Sequence, residues 1–337
     1  MNQLTIKAPF TLSGKGLHTG IFITATFKPA PANHGYKFKR IDLPGEPVID
    51  AVAENVVETV RNTVIGEKDV RISTVEHALA ALYASQIDNC LIEVDGPEMP
   101  ILDGSAIKFI EEIERVGLEE QDKEKEYYII KQKTSCTDKE TGSTITIYPD
   151  DNFSVETMVE YDSPVIPNQF AILDDIADFK TEVASARTFV FVRELEKLLD
   201  YGLIKGGDLD NAIIIYDRKV PQETISNLCK ITGIPELHLD DLGYINPKPL
   251  KWDNEPARHK LMDVIGDLAL IGKPLKGRVV AIRPGHTINN KFCRMLRKEV
   301  KHKEVQSPVY DPNKAPIIDI NGIRTVSYTH LRAHETS

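Results

Sequence analysis

Alternating apolar and polar residues give way to helical spacing within the first third of the chain. Two-residue alternation is typical of half-buried strands, and apolar residues three and four apart are typical of an amphipathic helix. The first helix is expected to follow Ser73 or Thr74 as its N-cap, with Glu76 in its first turn. The pattern predicts strands at Leu4–Ile6, Phe22–Phe27 and Asn89–Asp95, and helices through Ala78–Leu82 and Ala106–Val116.

A similar order of elements returns in the second part of the chain. In each part, a helix with a charged residue followed by histidine (Glu76-His77 and Arg258-His259) precedes a strand and a loop that contains Gly and Pro. This similarity predicts a two-fold internal repeat. The elements expected in the second part are strands at Tyr128–Lys131, Ser143–Tyr148 and Arg278–Ile282, and helices at Phe191–Tyr201 and Ala257–Ile271.

The charge-rich segment Leu118–Tyr127 (LEEQDKEKEY) is predicted to be a solvated linker between two domains. We therefore expect an α+β fold with an N-terminal domain over residues 1–126 and a C-terminal domain over residues 127–305. Residues 306–325 are expected to be a further linker. Residues 326–337 continue no pattern and are expected to be a tail that is extraneous to the folded unit.

The charge balance narrows the classes of partner. The 337 residues include 41 Lys and Arg against 51 Asp and Glu, a net charge of −10, which is not the basic footprint of a nucleic-acid-binding protein. No apolar stretch is long enough for a membrane-spanning helix, and the N-terminus does not resemble a signal peptide. The cysteines are far apart, as is typical of reduced thiols: Cys90, Cys136, Cys229 and Cys293. We expect a cytoplasmic protein without nucleic-acid partners.

A metal site is the chemistry that the two similar helices suggest. His259 and Asp263 lie four residues apart, so both project from one helix face and can reach the same divalent ion. Packing of the two helices about a pseudo-two-fold axis would bring His77 close to them. Three protein ligands leave a fourth position open for water, which is the arrangement of catalytic zinc sites. The adjacent Glu76 could then act as a general base.

Simpler interpretations stay open for these residues taken one at a time. His259 and Asp263 could form an exposed pair on a helix surface, and His286 could be a solvent-facing histidine in a loop beyond a strand. Asp267, one turn beyond Asp263, could be a surface charge. It could also hold a protonated imidazole in orientation.

Seven separated blocks, all in the same order, resemble the UDP-3-O-acyl-N-acetylglucosamine deacetylases of lipid A biosynthesis. The resemblance extends from about Leu4 to Val305. Its blocks are SGKGLHTG (13–20), STVEHALAAL (73–82), IDNCLIEVDGPEMPILDGSA (87–106), ARTF (186–189), GLIKGGDLDNAI (202–213), RHKLMDVIGDLALIG (258–272) and GHTINNK (285–291).

The resemblance implies a zinc-dependent hydrolysis of the substrate's acetamide. His77, His259 and Asp263 match the zinc ligands of the family, in agreement with the cluster inferred from spacing. Glu76 matches the general base that deprotonates the attacking water. The products would be acetate and the free 2-amino sugar, still attached to UDP and to its acyl chain.

The resemblance also implies roles for five further residues. His286 matches the general acid that protonates the leaving amine, and Asp267 matches the carboxylate that orients it. Thr188 matches a hydroxyl that helps to hold the oxyanion. Phe189 and Lys260 match substrate contacts, the first to the acyl or sugar part and the second to the anionic nucleotide.

The family fold implied is a sheet–helix–helix–sheet sandwich of two similar α+β domains, with the site at their junction. A βαβ insert around Val192–Leu209 would form a hydrophobic passage for the acyl chain. Tyr310–Ile323 resembles the junction of bifunctional proteins that continue into a 3-hydroxyacyl-[acyl-carrier-protein] dehydratase, so we expect this chain to be their deacetylase part, truncated. Two alternatives stay open: a zinc deacetylase of another N-acetylated sugar nucleotide, and a non-catalytic sugar-nucleotide-binding protein.

Overall fold

Strands and helices are interspersed along the chain in a computed structural model, which describes residues 1–200, 202–233, 235–238, 240–246 and 248–306. The strands of the first part are β1 (Asn2–Ile6), β2 (Phe10–Lys15), β3 (Phe22–Pro29), β4 (Tyr36–Arg40), β5 (Val48–Asp50), β6 (Val56–Glu58), β7 (Val64–Glu67), β8 (Val70–Ile72), β9 (Cys90–Val94) and β10 (Leu118–Glu124). The later strands are β11 (Tyr128–Ile129), β12 (Thr134–Thr137), β13 (Thr144–Tyr148), β14 (Phe153–Val159), β15 (Gln169–Leu173), β16 (Phe189–Phe191), β17 (Ile213–Tyr216), β18 (Gly243–Tyr244) and β19 (Leu275–Ile282). The helices are α1 (Glu76–Ala84), α2 (Ile107–Val116), α3 (Phe179–Glu182), α4 (Leu195–Asp200), α5 (Gln222–Thr232), α6 (Glu255–Leu268) and α7 (His286–Gln306).

Two mixed sheets share one strand order. The first runs β2-β3-β9-β4-β5, and the second runs β12-β13-β19-β14-β15 with β11 also paired to β19. In both sheets the central strand, β9 or β19, is antiparallel to one neighbour and parallel to the other. One helix precedes the central strand and another follows it, α1 and α2 around β9, α6 and α7 around β19. This topology agrees with the predicted repeat and with an α+β fold.

Helices α1 and α6 pack against each other, and α6 also packs on β14 and β15. All residues of α1 are buried, which explains why its sequence EHALAALYA is largely apolar on every face. Residues Met1–Arg297 form one compact unit, so the predicted boundary at 126/127 falls inside it and stays a prediction. A second unit covers Lys298–Ser337, of which the described residues, 298–306, are the end of α7.

Three local predictions are wrong. Most of the expected linker Leu118–Tyr127 is strand β10, antiparallel to β1, because backbone pairing needs no apolar side chains and those of β10 are largely exposed. The expected side-chain cap of α1 is absent, since Thr74 Oγ1 instead donates to Glu98 Oε1 at 3.0 Å. His286 begins α7 and does not lie in a loop.

A small three-stranded sheet, β16-β17-β18, stands apart from the two large sheets. Strands β16 and β17 are parallel, and α4 lies between them in the chain; the acyl-chain passage expected of this region stays a prediction. Apolar side chains from this region form a cluster: Val192, Leu195, Leu198, Ile204, Ile214, Tyr216, Ile225, Leu228 and Cys229. The predicted linker beyond residue 306 and the tail at 326–337 lie outside the described residues. Within the described part, no helix is both long and apolar enough to cross a bilayer.

Candidate metal centre

The close approach of α1 to α6 brings the predicted ligands together. Gly266 of α6 lies against the backbone of α1, where a Cβ atom would be 2.1 Å from the carbonyl oxygen of Glu76. The imidazoles of His77 and His259 are consequently neighbours, with ring centroids 5.1 Å apart. Asp263 follows one turn after His259 and faces the same way, as their spacing predicts.

His77, His259 and Asp263 form a cluster of potential metal ligands. One ligand atom from each residue lies within 4.8 Å of the others, and all three residues are buried. Asp263 Oδ1 is 3.5 Å from His259 Nε2 and 3.9 Å from His77 Nε2. This oxygen is buried without a hydrogen-bond partner. An orphaned carboxylate oxygen that faces two imidazole nitrogens fits a divalent transition-metal ion.

The surroundings favour the protonation states that bind metal. Burial, reinforced by His259, lowers the pKa of His77 to about 3, and burial also lowers the pKa of His259. Burial opposes the charge of Asp263, but Lys260 and the imidazoles outweigh it and lower the pKa of this carboxyl. His259 Nδ1 lies 3.1 Å from the Ala186 carbonyl oxygen, so a proton on Nδ1 leaves Nε2 free to ligate.

Glu76 is the first residue of α1 and is buried beside the ligand cluster. Its Oε2 accepts a hydrogen bond from the backbone N–H of Thr63 at 3.1 Å, and its Oε1 lies 3.9 Å from His286 Nε2. Burial raises the pKa of Glu76 to about 7, although His286 partly opposes the shift. A carboxylate with this pKa can take up a proton near neutral pH.

His286 faces Glu76 from the start of α7. Its Nδ1 lies 2.9 Å from Asp267 Oδ2, and its Nε2 is 3.9 Å from both Glu76 Oε1 and Asp263 Oδ2. Burial lowers the pKa of His286, but Asp267 outweighs burial and the pKa is raised to about 9. Asp267 is fully buried, which excludes its interpretation as a surface charge. The ring is therefore held protonated and oriented.

The other predicted residues border the cluster. The Phe189 ring lies edge-on to His259 with centroids 6.2 Å apart, and Lys260 Nζ is 5.6 Å from the Phe189 centroid. Lys260 Nζ also donates to Asp263 Oδ2 at 2.8 Å, a contact that the sequence did not suggest. Thr188 and Phe189 line a groove of about 620 Å³, open mouth included, that continues along Leu195, Leu198 and Ile204.

Two polar residues next to Asp267 were missed from the sequence. Thr63 Oγ1 donates to Asp267 Oδ1 at 2.5 Å, and Asn289 Nδ2 donates to Asp267 Oδ2 at 2.8 Å. Thr63 precedes β7, where neither a motif nor a periodicity marks it. Asn289 lies one helical turn after His286, a spacing that becomes informative only once α7 is known.

Comparison with known proteins identifies the family. The family model described as LpxC, UDP-3-O-acyl N-acetylglycosamine deacetylase, matches residues 3–227 and 236–298. The chain belongs to this family. The bifunctional enzyme LpxC/FabZ of Bacteroides thetaiotaomicron is 62% identical over 96% of this chain and 70% of its own length, and that of Porphyromonas gingivalis is 56% identical over 96% and 70%. The UDP-3-O-acyl-N-acetylglucosamine deacetylase of Myxococcus xanthus is 37% identical over 90% of this chain and 89% of its own length. The metal cluster, Glu76 and His286 all lie within the LpxC match.

Proposed function

We propose that this chain hydrolyses the acetamide of UDP-3-O-[(R)-3-hydroxyacyl]-N-acetylglucosamine in lipid A biosynthesis. The proposal is carried by the opposition of Glu76 Oε1 and His286 Nε2, 3.9 Å apart beside the candidate metal cluster. Amide hydrolysis needs a base for the attacking water and an acid for the leaving amine, whereas a binding protein needs neither. The names of the LpxC relatives support the substrate class.

Zinc is the metal that we propose, held by His77, His259 and Asp263. Two imidazoles and one carboxylate, with a fourth position open, form a ligand set of catalytic zinc sites. When bound, zinc would polarise the acetamide carbonyl and make water more acidic.

The residues around the cluster divide the proton transfers between them. Glu76 Oε1 accepts the proton of the attacking water, while the Thr63 N–H holds the other carboxylate oxygen. His286 Nε2 gives its proton to the departing 2-amino group, and Asp267 at Nδ1 stabilises and orients the charged ring. The Thr188 hydroxyl donates a hydrogen bond to the oxygen that gains negative charge.

The groove beside Thr188 and Phe189 is the proposed passage for the acyl chain. Its apolar walls suit a hydrocarbon, and Phe189 would contact the acyl chain or the sugar. Lys260 would meet the anionic nucleotide part of the substrate. We further infer that the chain corresponds to the deacetylase part of an LpxC/FabZ protein, because it covers 70% of the Bacteroides thetaiotaomicron LpxC/FabZ enzyme and 89% of the UDP-3-O-acyl-N-acetylglucosamine deacetylase of Myxococcus xanthus. A cytoplasmic location is part of the same proposal.

The test is to measure acetate release from UDP-3-O-(3-hydroxyacyl)-N-acetylglucosamine by untreated protein, after a chelator is added, and after zinc is restored. We expect the chelator to abolish activity and zinc to restore it. Glu76→Gln should keep its zinc but lose about 10²- to 10⁴-fold in kcat, the usual contribution of a general base. Glu111→Gln, which removes a carboxylate from an exposed pair with Lys108, is the matched control.

Three results would contradict this proposal, the first in the role of Glu76 and the other two in the reaction itself. Near-normal turnover by Glu76→Gln would remove Glu76 as the base. Faster turnover of an N-acetylated sugar nucleotide without the 3-O-acyl chain would favour the alternative, a zinc deacetylase of another sugar nucleotide. Tight UDP-sugar binding by zinc-loaded protein that releases no acetate would favour the non-catalytic binding protein.

A further inference from the structure

Thr63 connects the two proton-transfer groups of the candidate site. It is completely buried and lies immediately before β7, in the stretch that faces the start of α1. Its backbone N–H donates to Glu76 Oε2 at 3.1 Å, and its carbonyl accepts from Val75 N at 3.4 Å. Its hydroxyl is 2.5 Å from Asp267 Oδ1 and 3.1 Å from His286 Nδ1.

The backbone contact gives the two oxygens of Glu76 different tasks. Oε2 is occupied by the Thr63 N–H, so Oε1 is the oxygen directed at His286 Nε2, 3.9 Å away. A buried carboxylate held by one directed donor has a restricted orientation, because rotation would break that hydrogen bond without solvent to replace it. Thr63 thereby selects which oxygen of Glu76 faces the site.

The side-chain contact completes the surroundings of Asp267. Oδ1 accepts from the Thr63 hydroxyl, and Oδ2 accepts from Asn289 Nδ2 and lies 2.9 Å from His286 Nδ1. A hydroxyl has one proton and two lone pairs. If its proton goes to Asp267, the Thr63 oxygen can accept from His286 Nδ1–H, so the imidazole is held by two acceptors.

The position of Thr63 is itself supported by its neighbour. Asn62 Nδ2 donates to Thr74 Oγ1 at 3.1 Å, and Thr74 Oγ1 donates to the buried Glu98 at 3.0 Å. Thr74 has a φ of 58°, an uncommon conformation for a β-branched residue, two positions before Glu76. These contacts tie the stretch that carries Thr63 to the segment that leads into α1.

We propose that Thr63 is a positioning residue that aligns the general base Glu76 and the general acid His286 with one another. The inference rests on the proposed deacetylase function and deepens it. Thr63 touches neither a predicted metal ligand nor a predicted substrate contact among its hydrogen bonds. Loss of its hydroxyl should therefore slow the reaction without weakening substrate or metal binding.

Thr63→Val removes the hydroxyl and keeps both the shape and the backbone N–H. We expect kcat to fall about 10- to 100-fold, comparable to the loss when a hydrogen-bonded partner behind a metal ligand is removed, with bound zinc unchanged. KM should change by less than about threefold, because Thr63 touches no predicted substrate contact and its hydroxyl acts only on the proton-transfer groups. Thr63→Ser, which restores the hydroxyl, should recover most of the lost kcat.

Thr157→Val is the matched control, since Thr157 is also a buried threonine and donates to the Ala257 carbonyl at 3.2 Å beneath α6. It should keep the wild-type kcat even if its melting temperature falls. Thr63→Ala, which cannot overpack the site, replaces Thr63→Val if the valine variant does not fold.

The outcomes separate this inference from the function on which it rests. If the wild-type protein turns over substrate and Thr63→Val or Thr63→Ala has the same kcat, the role of Thr63 is overturned and the proposed function stands. Loss of zinc in parallel with kcat, or no recovery in Thr63→Ser, also overturns it, because the residue would then serve the fold or the metal. Absence of turnover by zinc-loaded wild-type protein overturns the proposed function and this inference together.

Discussion

A buried carboxyl and a buried imidazole face each other across the candidate site. Burial raises the pKa of Glu76 to about 7, while the effect of burial on His286 is outweighed by Asp267, which raises its pKa to about 9. Between these two values an ionised Glu76 and a protonated His286 coexist. That is the combination that the proposed base and acid require, and it is produced by the environment of each group.

Replacing Asp267 with Asn is expected to move the alkaline limit of activity to lower pH. His286 donates only when protonated, so activity falls as the pH rises through its pKa, which is about 9 with Asp267 in place. Asn removes the largest of the negative charges that raise this pKa, so the pKa of His286 falls even though Glu76 and Asp263 remain to raise it. The measurement is kcat/KM against pH for the zinc-loaded variant.

Asp138→Asn is the control for this profile. Asp138 Oδ2 pairs with Lys291 Nζ at 2.5 Å. Lys291 lies on α7, the helix of His286, but this pair is exposed and is not part of the metal cluster. The alkaline limit of kcat/KM in Asp138→Asn should match that of the wild type. An unmoved limit in Asp267→Asn would show that His286 is not the acid that Asp267 holds.

The distance between α1 and α6 decides whether the ligands can meet. Glu76 and His77 come from the first turn of α1, whereas His259 and Asp263 come from α6. Gly266 allows α1 and α6 to pack this closely, because its missing side chain leaves room for the Glu76 carbonyl. Glycine in the middle of a helix costs about 1 kcal/mol in helix propensity, so its presence in α6 has a packing reason.

Gly266→Ala should therefore destabilise the protein and weaken zinc binding. A Cβ at 2.1 Å from the Glu76 oxygen must push the helices apart. Overpacking of this kind costs about 1–3 kcal/mol or more, which exceeds the helix-propensity gain of about 1 kcal/mol. Urea unfolding and a zinc titration measure the two effects.

Gly243→Ala is the matched control, because a Cβ there meets no atom within 4 Å. It should leave both the free energy of unfolding and the zinc affinity close to wild type. If Gly266→Ala also left both unchanged, close packing of α1 on α6 would not be what assembles the ligands.

The two similar halves of the Met1–Arg297 unit contribute different groups to one site. The helix before the central strand of the first sheet supplies Glu76 and His77, and the corresponding helix of the second supplies His259 and Asp263. His286 comes from the helix that follows the second central strand. A metal ion in the cluster would thus connect the helical layers of both halves.

Metal removal is expected to lower the melting temperature of the whole unit. A ligand that binds only the folded state stabilises it by about 2.7 kcal/mol at a free concentration of 100 Kd. Melting curves with a chelator and with zinc restored measure this shift. His77→Ala should abolish it, whereas His34→Ala, a histidine whose Nδ1 lies 3.0 Å from the Gly35 carbonyl oxygen, should retain it. An equal zinc-dependent shift in His77→Ala would contradict the ligand set.

Much of the fold follows from patterns that are local in sequence. The apolar stripe through Ala257–Ile271 predicted α6 closely, and the i, i+4 spacing of His259 and Asp263 placed both on one face of it. Strand β10 and helix α7 were missed for two different reasons. The first is charged and exposed although paired through its backbone, and the second begins directly after a Pro-Gly turn that suggested a loop.

By itself, the sequence determined helices α1, α2 and α6, several of the strands and the residue types of the metal cluster, because these depend on spacing within single helices and strands. Only the tertiary structure decided which distant groups meet. Thr63 contacts Asp267 across 204 positions, and His286 Nε2 lies 3.9 Å from Glu76 Oε1 of a different helix. It also decided the raised pKa values of Glu76 and His286. Desolvation and the field of neighbouring charges exist only once the chain has packed, so no local pattern encodes them.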